Sequence, residues 1–229
     1  MADVLIIDVW ADNVHEEFSR IRDVVHRYPY IAFDTEFFGF VNPSDSRAGA
    51  RIYNGHIKAN VVSLKLIQVG LTFFDEFGDD ILRNSGIDFE KNHTKGVTSQ
   101  TLADSLTFAR LVSNRAVHWV TFHGTYDMSY LAKPLNGCTL LPDPLSTFLS
   151  MVNRIFPNFY DAKHMVHHHY IWTGGLSKLA RDMGVQSSAL DMHQAGADSV
   201  VTVKAFVILK KRVIKRVCVG ECNRLLYGL

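Results

Sequence analysis

The sequence predicts an α/β fold, a mixed sheet covered by helices, and three observations carry that prediction. Segments with the two-residue period of strands alternate along the chain with segments of helical period, the pattern of a layered sheet-and-helix domain. The 229 residues amount to about one and a half domains of ~150 residues, which one large domain accounts for. A 47% hydrophobic content with 3 Trp, 8 Tyr and 15 Phe can fill the core that a chain of this size buries. No internal repeat or low-complexity segment interrupts the succession.

Asn13 followed three residues later by Glu16 is close to a capping box, and Val14, Phe18, Ile21, Val25 and Tyr28 then recur at helical spacing until Pro29. Tyr30 to Phe37, YIAFDTEF, alternates Ile31, Phe33, Thr35 and Phe37 with Ala32, Asp34 and Glu36, so both acids share one face of a strand. The polar stretch from Asn42 to Asn60 reads as a long loop, and Ser63 to Phe74 as an apolar strand. Leu102, Leu106, Ala109 and Val112 predict a helix over Ser99 to Val112. Val117 to Phe122 is a buried strand, after which Asp127 opens a helix running to Pro134. Phe159 to Met165 reads as a strand. Gly175 to Met183 is a helix closed by Gly184 as a left-handed cap, and the last helix runs from about Gly196 into Lys211.

Composition removes several classes of function. With 24 Lys plus Arg against 23 Asp plus Glu, the net charge of +1 cannot hold nucleic acid by bulk attraction, so any such partner is gripped locally. Cys138, Cys218 and Cys222 are too few for a disulfide framework and read as reduced. No apolar run approaches the ~18 residues of a membrane span, and the first residues lack the regions of a secretory signal. The expectation is a soluble protein of the cytosol or nucleus.

Chemistry enters with the acids. Two carboxylates at i and i+2 on a strand flanked by YIAF and FFGF would repel and desolvate each other unless a positive charge sits between them, and a divalent metal is the simplest such charge. A solvent-facing strand is the alternative. Asp127 in FHGTYDMSYL and Asp198 in HQAGADS lie on apolar elements where an unpaired Asp is rarely buried. Oxygen ligands from separate elements suit Mg²⁺ or Mn²⁺ rather than Zn²⁺. His193, five residues before Asp198, can face the same centre, where a neutral imidazole takes the proton from an attacking water; a structural histidine is the alternative.

The order Asp-x-Glu, Asp, His-x-x-x-x-Asp resembles the DEDD 3′ to 5′ exonucleases of the histidine-bearing subtype. The strings WADNVHEEFSRIRDVV, IAFDTEFFGFV, LKLIQVGLTF, GIDFEKN, VHWVTFHGTYDMSYLAKPL, FPNFYDAKHM, GGLSKLA and HQAGADSVVT resemble successive blocks of the Caf/Pop poly(A)-specific ribonucleases, the deadenylase subunit of the Ccr-Not complex. The match runs from about Val9 to Lys211. The resemblance implies an RNase D-like (ribonuclease H-like) five-stranded mixed sheet in a single domain over 1–229, with Asp34, Glu36, Asp127 and Asp198 binding two divalent ions, Mg²⁺ or Mn²⁺, and His193 as general base. It implies poly(A) RNA as substrate, released as AMP, the Ccr-Not scaffold and the second deadenylase subunit as partners, and a place in cytoplasm and nucleus. The alternatives are a catalytically weak scaffold-binding module, or a DEDD exonuclease acting on other RNA or DNA.

Three departures qualify the resemblance. A stretch that the family carries between Gly78 and Asp79 is absent, so the sheet can lack an edge strand and expose Ser63 to Phe74. Phe38 replaces the family's Pro. The segment 210–229 is divergent, and from Ser199 onward Lys204, Lys210, Lys211, Arg212, Lys215, Arg216 and Arg224 face only Glu221, a solvated helix face or a contact for RNA phosphates. His164, His167, His168 and His169 read as surface histidines. Phe37, Phe38 and Phe40 either stack on terminal bases or pack in the core.

Overall fold

The computed structural model describes residues 5–41, 56–78, 80–83, 89–137, 140–170, 172–185, 194–213 and 219–229. In chain order these form β1 (Leu5–Ile6), α1 (Val14–Val24), β2 (Tyr30–Phe37), α2 (Lys58–Ser63), β3 (Leu66–Phe74), β4 (Asp80–Arg83), α3 (Phe89–Lys95) and α4 (Ser99–Phe108). There follow β5 (His118–Thr121), α5 (Thr125–Leu135), α6 (Leu145–Ile155), β6 (Phe159–Asp161), α7 (Ala162–Tyr170), α8 (Leu176–Met183) and α9 (Ala195–Val213). The sheet order is β1-β4-β3-β2-β5-β6. β2 runs antiparallel to β3 and parallel to β5, and β5 is parallel to β6.

Strand alternation sends successive side chains to opposite layers. Ile31, Phe33, Phe73 and Trp119 enter a core built with Phe18 and Ile21 of α1, Leu106 of α4, Met128 and Leu131 of α5, and Phe148 and Val152 of α6. Their neighbours Ala32, Phe74, Val120 and Tyr160 enter a second core with Met165 of α7, Leu179 of α8, and Val203, Phe206 and Leu209 of α9. Asp34 and Glu36 share the parity of Ala32, so they face the layer that α9 covers.

The shortened link after β3 still returns a strand. Asp75 Oδ1 accepts hydrogen bonds from Phe77 N and Gly78 N, both at 2.9 Å, and this tight turn leads into β4. β4 pairs antiparallel with Phe73 and Phe74 alone, and β1 adds parallel to it. Among the described residues the sheet therefore has six strands rather than five, with β3 paired to β4 at its C-terminal end.

Several local expectations are corrected. Asn13 sits at the N-cap of α1, but its side chain turns backward to accept from Trp10 N (2.7 Å), and Glu16 pairs with Arg20 (2.5 Å) instead of closing a capping box. The strand expected over Phe159 to Met165 ends at Asp161 because that carboxylate accepts from Lys163 N (2.9 Å) and His164 N (3.3 Å) and so nucleates α7. α2 begins inside the expected loop, and residues 42–55 lie outside the described ones. Gly184, at φ 72°, is the left-handed cap expected. Among the described residues no helix is long and apolar enough to cross a membrane.

Candidate metal centre

Three anchors on β3 set the start of α9 against the acids. In the register of the central pair, Ala32 lies opposite Thr72, Asp34 opposite Gly70, and Glu36 opposite Gln68. Thr72 Oγ1 shares a 2.7 Å hydrogen bond with Ser199 Oγ, in the buried interior. At Gly70 a Cβ would lie 2.1 Å from the backbone C and O of Ala195, so only glycine admits the helix at this depth. Gln68 Oε1 accepts the hydrogen bond of Ala195 N (3.1 Å). With its first turn held at these three points, α9 projects Asp198 toward β2. The carboxylates of Asp34, Glu36 and Asp198 each offer an oxygen within 4.8 Å of the others.

Asp127 approaches from the other layer. It sits in the first turn of α5 and is 6% exposed, which leaves its charge with little water. Its Oδ1 accepts from Thr35 N (3.0 Å) and Thr35 Oγ1 (2.5 Å), and Thr121 Oγ1 lies 3.5 Å from Oδ2. Thr35 thus separates Asp127 from the tight group of three while holding it beside them. Behind this, buried Asp161 accepts from His123 N (2.9 Å) and Gly124 N (3.2 Å), fixing the turn that leads into α5, and from Tyr227 N (3.0 Å).

The electrostatics are those of a site prepared for a cation. Burial, and then the charges of Asp127, Asp198 and Glu36, hold the Asp34 carboxyl well above its usual range. Burial pushes Asp127 up to about 7 against the opposing pull of its hydrogen bonds to Thr35. Clustered carboxylates with raised pKa values are costly to keep ionised and bind a divalent cation that relieves the repulsion. Hard oxygen ligands of this kind suit Mg²⁺ or Mn²⁺.

Of the sequence-level candidates, Asp34, Glu36 and Asp198 come together and Asp127 stands next to them; His193 lies outside the described residues. Thr35, Gln68, Gly70, Thr72 and Ser199 were not legible as site residues, although a glycine inside an apolar strand is a sign of close backbone approach. Among the described residues no second group of His, Cys, Asp and Glu is placed to hold an ion. The rings of His164 and His168 stack at 5.8 Å, and His167 Nδ1 lies 3.0 Å from Trp172 O. Cys222 is buried in the second core, and Cys138 and Cys218 lie outside the described residues. Lys210 stands over the Tyr30 ring at 4.8 Å, at the opposite end of β2 from the acids; Lys215 and Arg216 lie outside the described residues.

The model of the CAF1 family ribonucleases matches residues 9–84, which include Asp34 and Glu36. Over 99% of its length the chain is 35% identical to a probable CCR4-associated factor 1 homologue (homolog 7) of Arabidopsis thaliana, covering 94% of that protein. The chain belongs to the CAF1 family. It is also 31% identical, over 98% of its length and 75% of the relative's, to the poly(A) ribonuclease pop2 of Schizosaccharomyces pombe. The solved S. pombe Pop2p structure, in a form with Mg²⁺ and Mn²⁺ bound, superposes with a TM-score of 0.87 at 30% identity, covering 98% of this chain and 99% of that one. A yeast CAF1 co-crystallised with the NOT1 MIF4G domain shares the fold of this family member, with a TM-score of 0.83 at 24% identity and coverage of 97% and 96%.

Proposed function

We propose that this CAF1 family member is a 3′ to 5′ exoribonuclease that shortens the poly(A) tails of mRNA and releases AMP. The observation that carries this is the convergence of Asp34, Glu36 and Asp198 within 4.8 Å, with Asp127 held beside them by Thr35. These four residues would hold two divalent ions, Mg²⁺ or Mn²⁺. When bound, such ions offset the negative charge that develops on the phosphate oxygens and lower the pKa of water. By setting where those ions would sit, the four acids would determine where the terminal phosphodiester can dock, and His193 accepts the proton of the attacking water. The water oxygen bonds to phosphorus, the bond to O3′ of the preceding nucleotide breaks, that oxygen takes up a proton, and AMP departs with its 5′-phosphate.

Poly(A) is proposed as substrate on the strength of the S. pombe relative's name. The Ccr-Not scaffold is proposed as partner because the yeast CAF1 was solved with a NOT1 domain, with the second deadenylase subunit in the same assembly and cytoplasm and nucleus as its setting. The test is a gel of 5′-labelled RNA ending in a poly(A) tail. A ladder that shortens from the 3′ end with Mg²⁺, and stops with EDTA or with Asp34→Asn, is the expected result. An intact RNA with a chain that still binds the scaffold would favour the binding-module alternative, and equal shortening of non-adenine tails would remove the poly(A) preference.

A further inference from the structure

Beyond the acids, β2 continues into a short turn that carries two exposed aromatic side chains, Phe38 and Phe40. Gly39 N donates to Phe37 O at 2.9 Å, a three-residue turn with Phe38 at its tip. Gly39 adopts φ +50°, which glycine takes without strain, and the chain reverses so that Phe40 packs beside Phe37 and Tyr126. The Phe40 ring meets Phe37 edge-on at 5.7 Å and Tyr126 at 5.5 Å. Tyr126 immediately precedes Asp127, and its own ring stacks on Phe37 at 5.5 Å. The next residue is tied down as well, because Val41 N donates to Asn60 Oδ1 at 2.7 Å, and buried Asn60 donates to His56 O at 2.7 Å. Despite these attachments Phe38 and Phe40 are 60% and 57% exposed.

Two large exposed aromatic side chains on one short turn, one of them packed on Tyr126, offer apolar surface of the kind that marks a binding site. These two lie two and four residues from Glu36, within the reach of a nucleotide whose phosphate sits at the acids. We propose that Phe38 and Phe40 form a stacking platform for the nucleobase at the 3′ end of the RNA, resting on the exoribonuclease function above. Single-stranded nucleic acids are held in this way by aromatic side chains beside a backbone site, and every base offers a face. Purines stack over the larger area, so the platform favours adenine over pyrimidines. The rings add selectivity at the end of the tail while the acids handle the phosphate.

The test crosses two changes, in the protein (Phe38→Leu with Phe40→Leu, which keeps apolar volume) and in the RNA (an abasic 3′-terminal nucleotide). Each alone should lower kcat/KM by roughly 5- to 100-fold, and the two together should cost no more than one, because base and ring act as a pair. A second readout is the quenching of 2-aminopurine placed at the 3′ terminus, measured with Ca²⁺ in place of Mg²⁺; wild type should quench it and the double Leu variant should not. Losses that multiply, a variant within about twofold of wild type, or no quenching by wild type would each overturn the platform. Wild-type quenching without hydrolysis in Mg²⁺ would instead overturn the hydrolase function and leave the platform standing.

Discussion

Asp127 Oδ1 accepts both the backbone N–H and the hydroxyl of Thr35, at 3.0 and 2.5 Å, and Thr35 is the residue between Asp34 and Glu36. One side chain thereby couples the fourth acid to the strand that carries the first two. Asp127 belongs to the layer of α5 and the other two face α9, so Thr35 is the direct hydrogen-bonded link between them, with Thr121 of β5 as a longer contact to Asp127 (3.5 Å).

Thr35→Val keeps the shape of the side chain and removes the hydroxyl donor, leaving the backbone N–H bond to Asp127 in place. A charge-assisted hydrogen bond is worth about 1.5–3 kcal/mol, so the Asp127 carboxyl should titrate higher and the rate at neutral pH should fall by roughly 10- to 100-fold. Thr35→Ser should recover most of it. Hydrolysis rates across pH for the two variants check this; a Val variant with the wild-type profile would mean that the hydroxyl does not support Asp127.

Gly70→Ala tests the depth at which α9 docks. The added Cβ meets rigid backbone at 2.1 Å, so α9 must move outward and carry Asp198 with it. Overpacking of this kind costs about 1–3 kcal/mol, and activity should fall further than stability does. Denaturant unfolding beside hydrolysis rates gives both numbers, and unchanged activity would show that Asp198 keeps its place without the close contact.

Without a divalent ion, burial and like charge raise Asp34 and Asp127, the latter to about 7, from 3.8. Unfolded carboxyls titrate at about 3.9, so between roughly pH 4 and 7 the folded chain keeps protons that the unfolded chain has lost. Stability in EDTA should therefore fall as pH rises through that window. A bound cation relieves the repulsion, so Mn²⁺ should raise Tm more at about pH 7.5 than at about pH 4.5. Scanning calorimetry at both values decides it, and an equal shift at the two would contradict the electrostatics of the site.

The legible part of this protein is what short-range pattern encodes. β2 was readable to the residue because YIAFDTEF alternates, and the same alternation put Asp34 and Glu36 on one face. α6 was missed although Phe148, Met151, Val152 and Ile155 recur at helical spacing, because no acid or cap drew attention to LSTFLSMVNRI. β4 could not be read from a missing stretch, since four residues suffice to pair with the end of β3. The anchors Gln68, Gly70 and Thr72 were invisible for a different reason. Their roles depend on contacts across more than 120 residues of chain, with Ala195 and Ser199, and no local signal reports such a contact.

His193→Ala tests whether the proposed proton acceptor is distinct from the proposed ion holders. Turnover should fall by about 10²- to 10⁴-fold, the range for general-base catalysis, while Mn²⁺ affinity stays close to that of wild type. Single-turnover kinetics beside metal binding check it; a joint collapse would make His193 a ligand or a structural residue.

The central claim is that Asp34, Glu36 and Asp198 form a divalent cation site, and calorimetric titration of Mn²⁺ into wild type, Asp34→Asn and Asp198→Asn tests it most directly. Wild type should bind Mn²⁺ with heat released or absorbed at a defined stoichiometry, and each variant should lose at least about tenfold in affinity, which is ~1.4 kcal/mol, while remaining folded and gaining stability in EDTA as a repelling charge is removed. Mn²⁺ affinity unchanged in both variants would contradict the site.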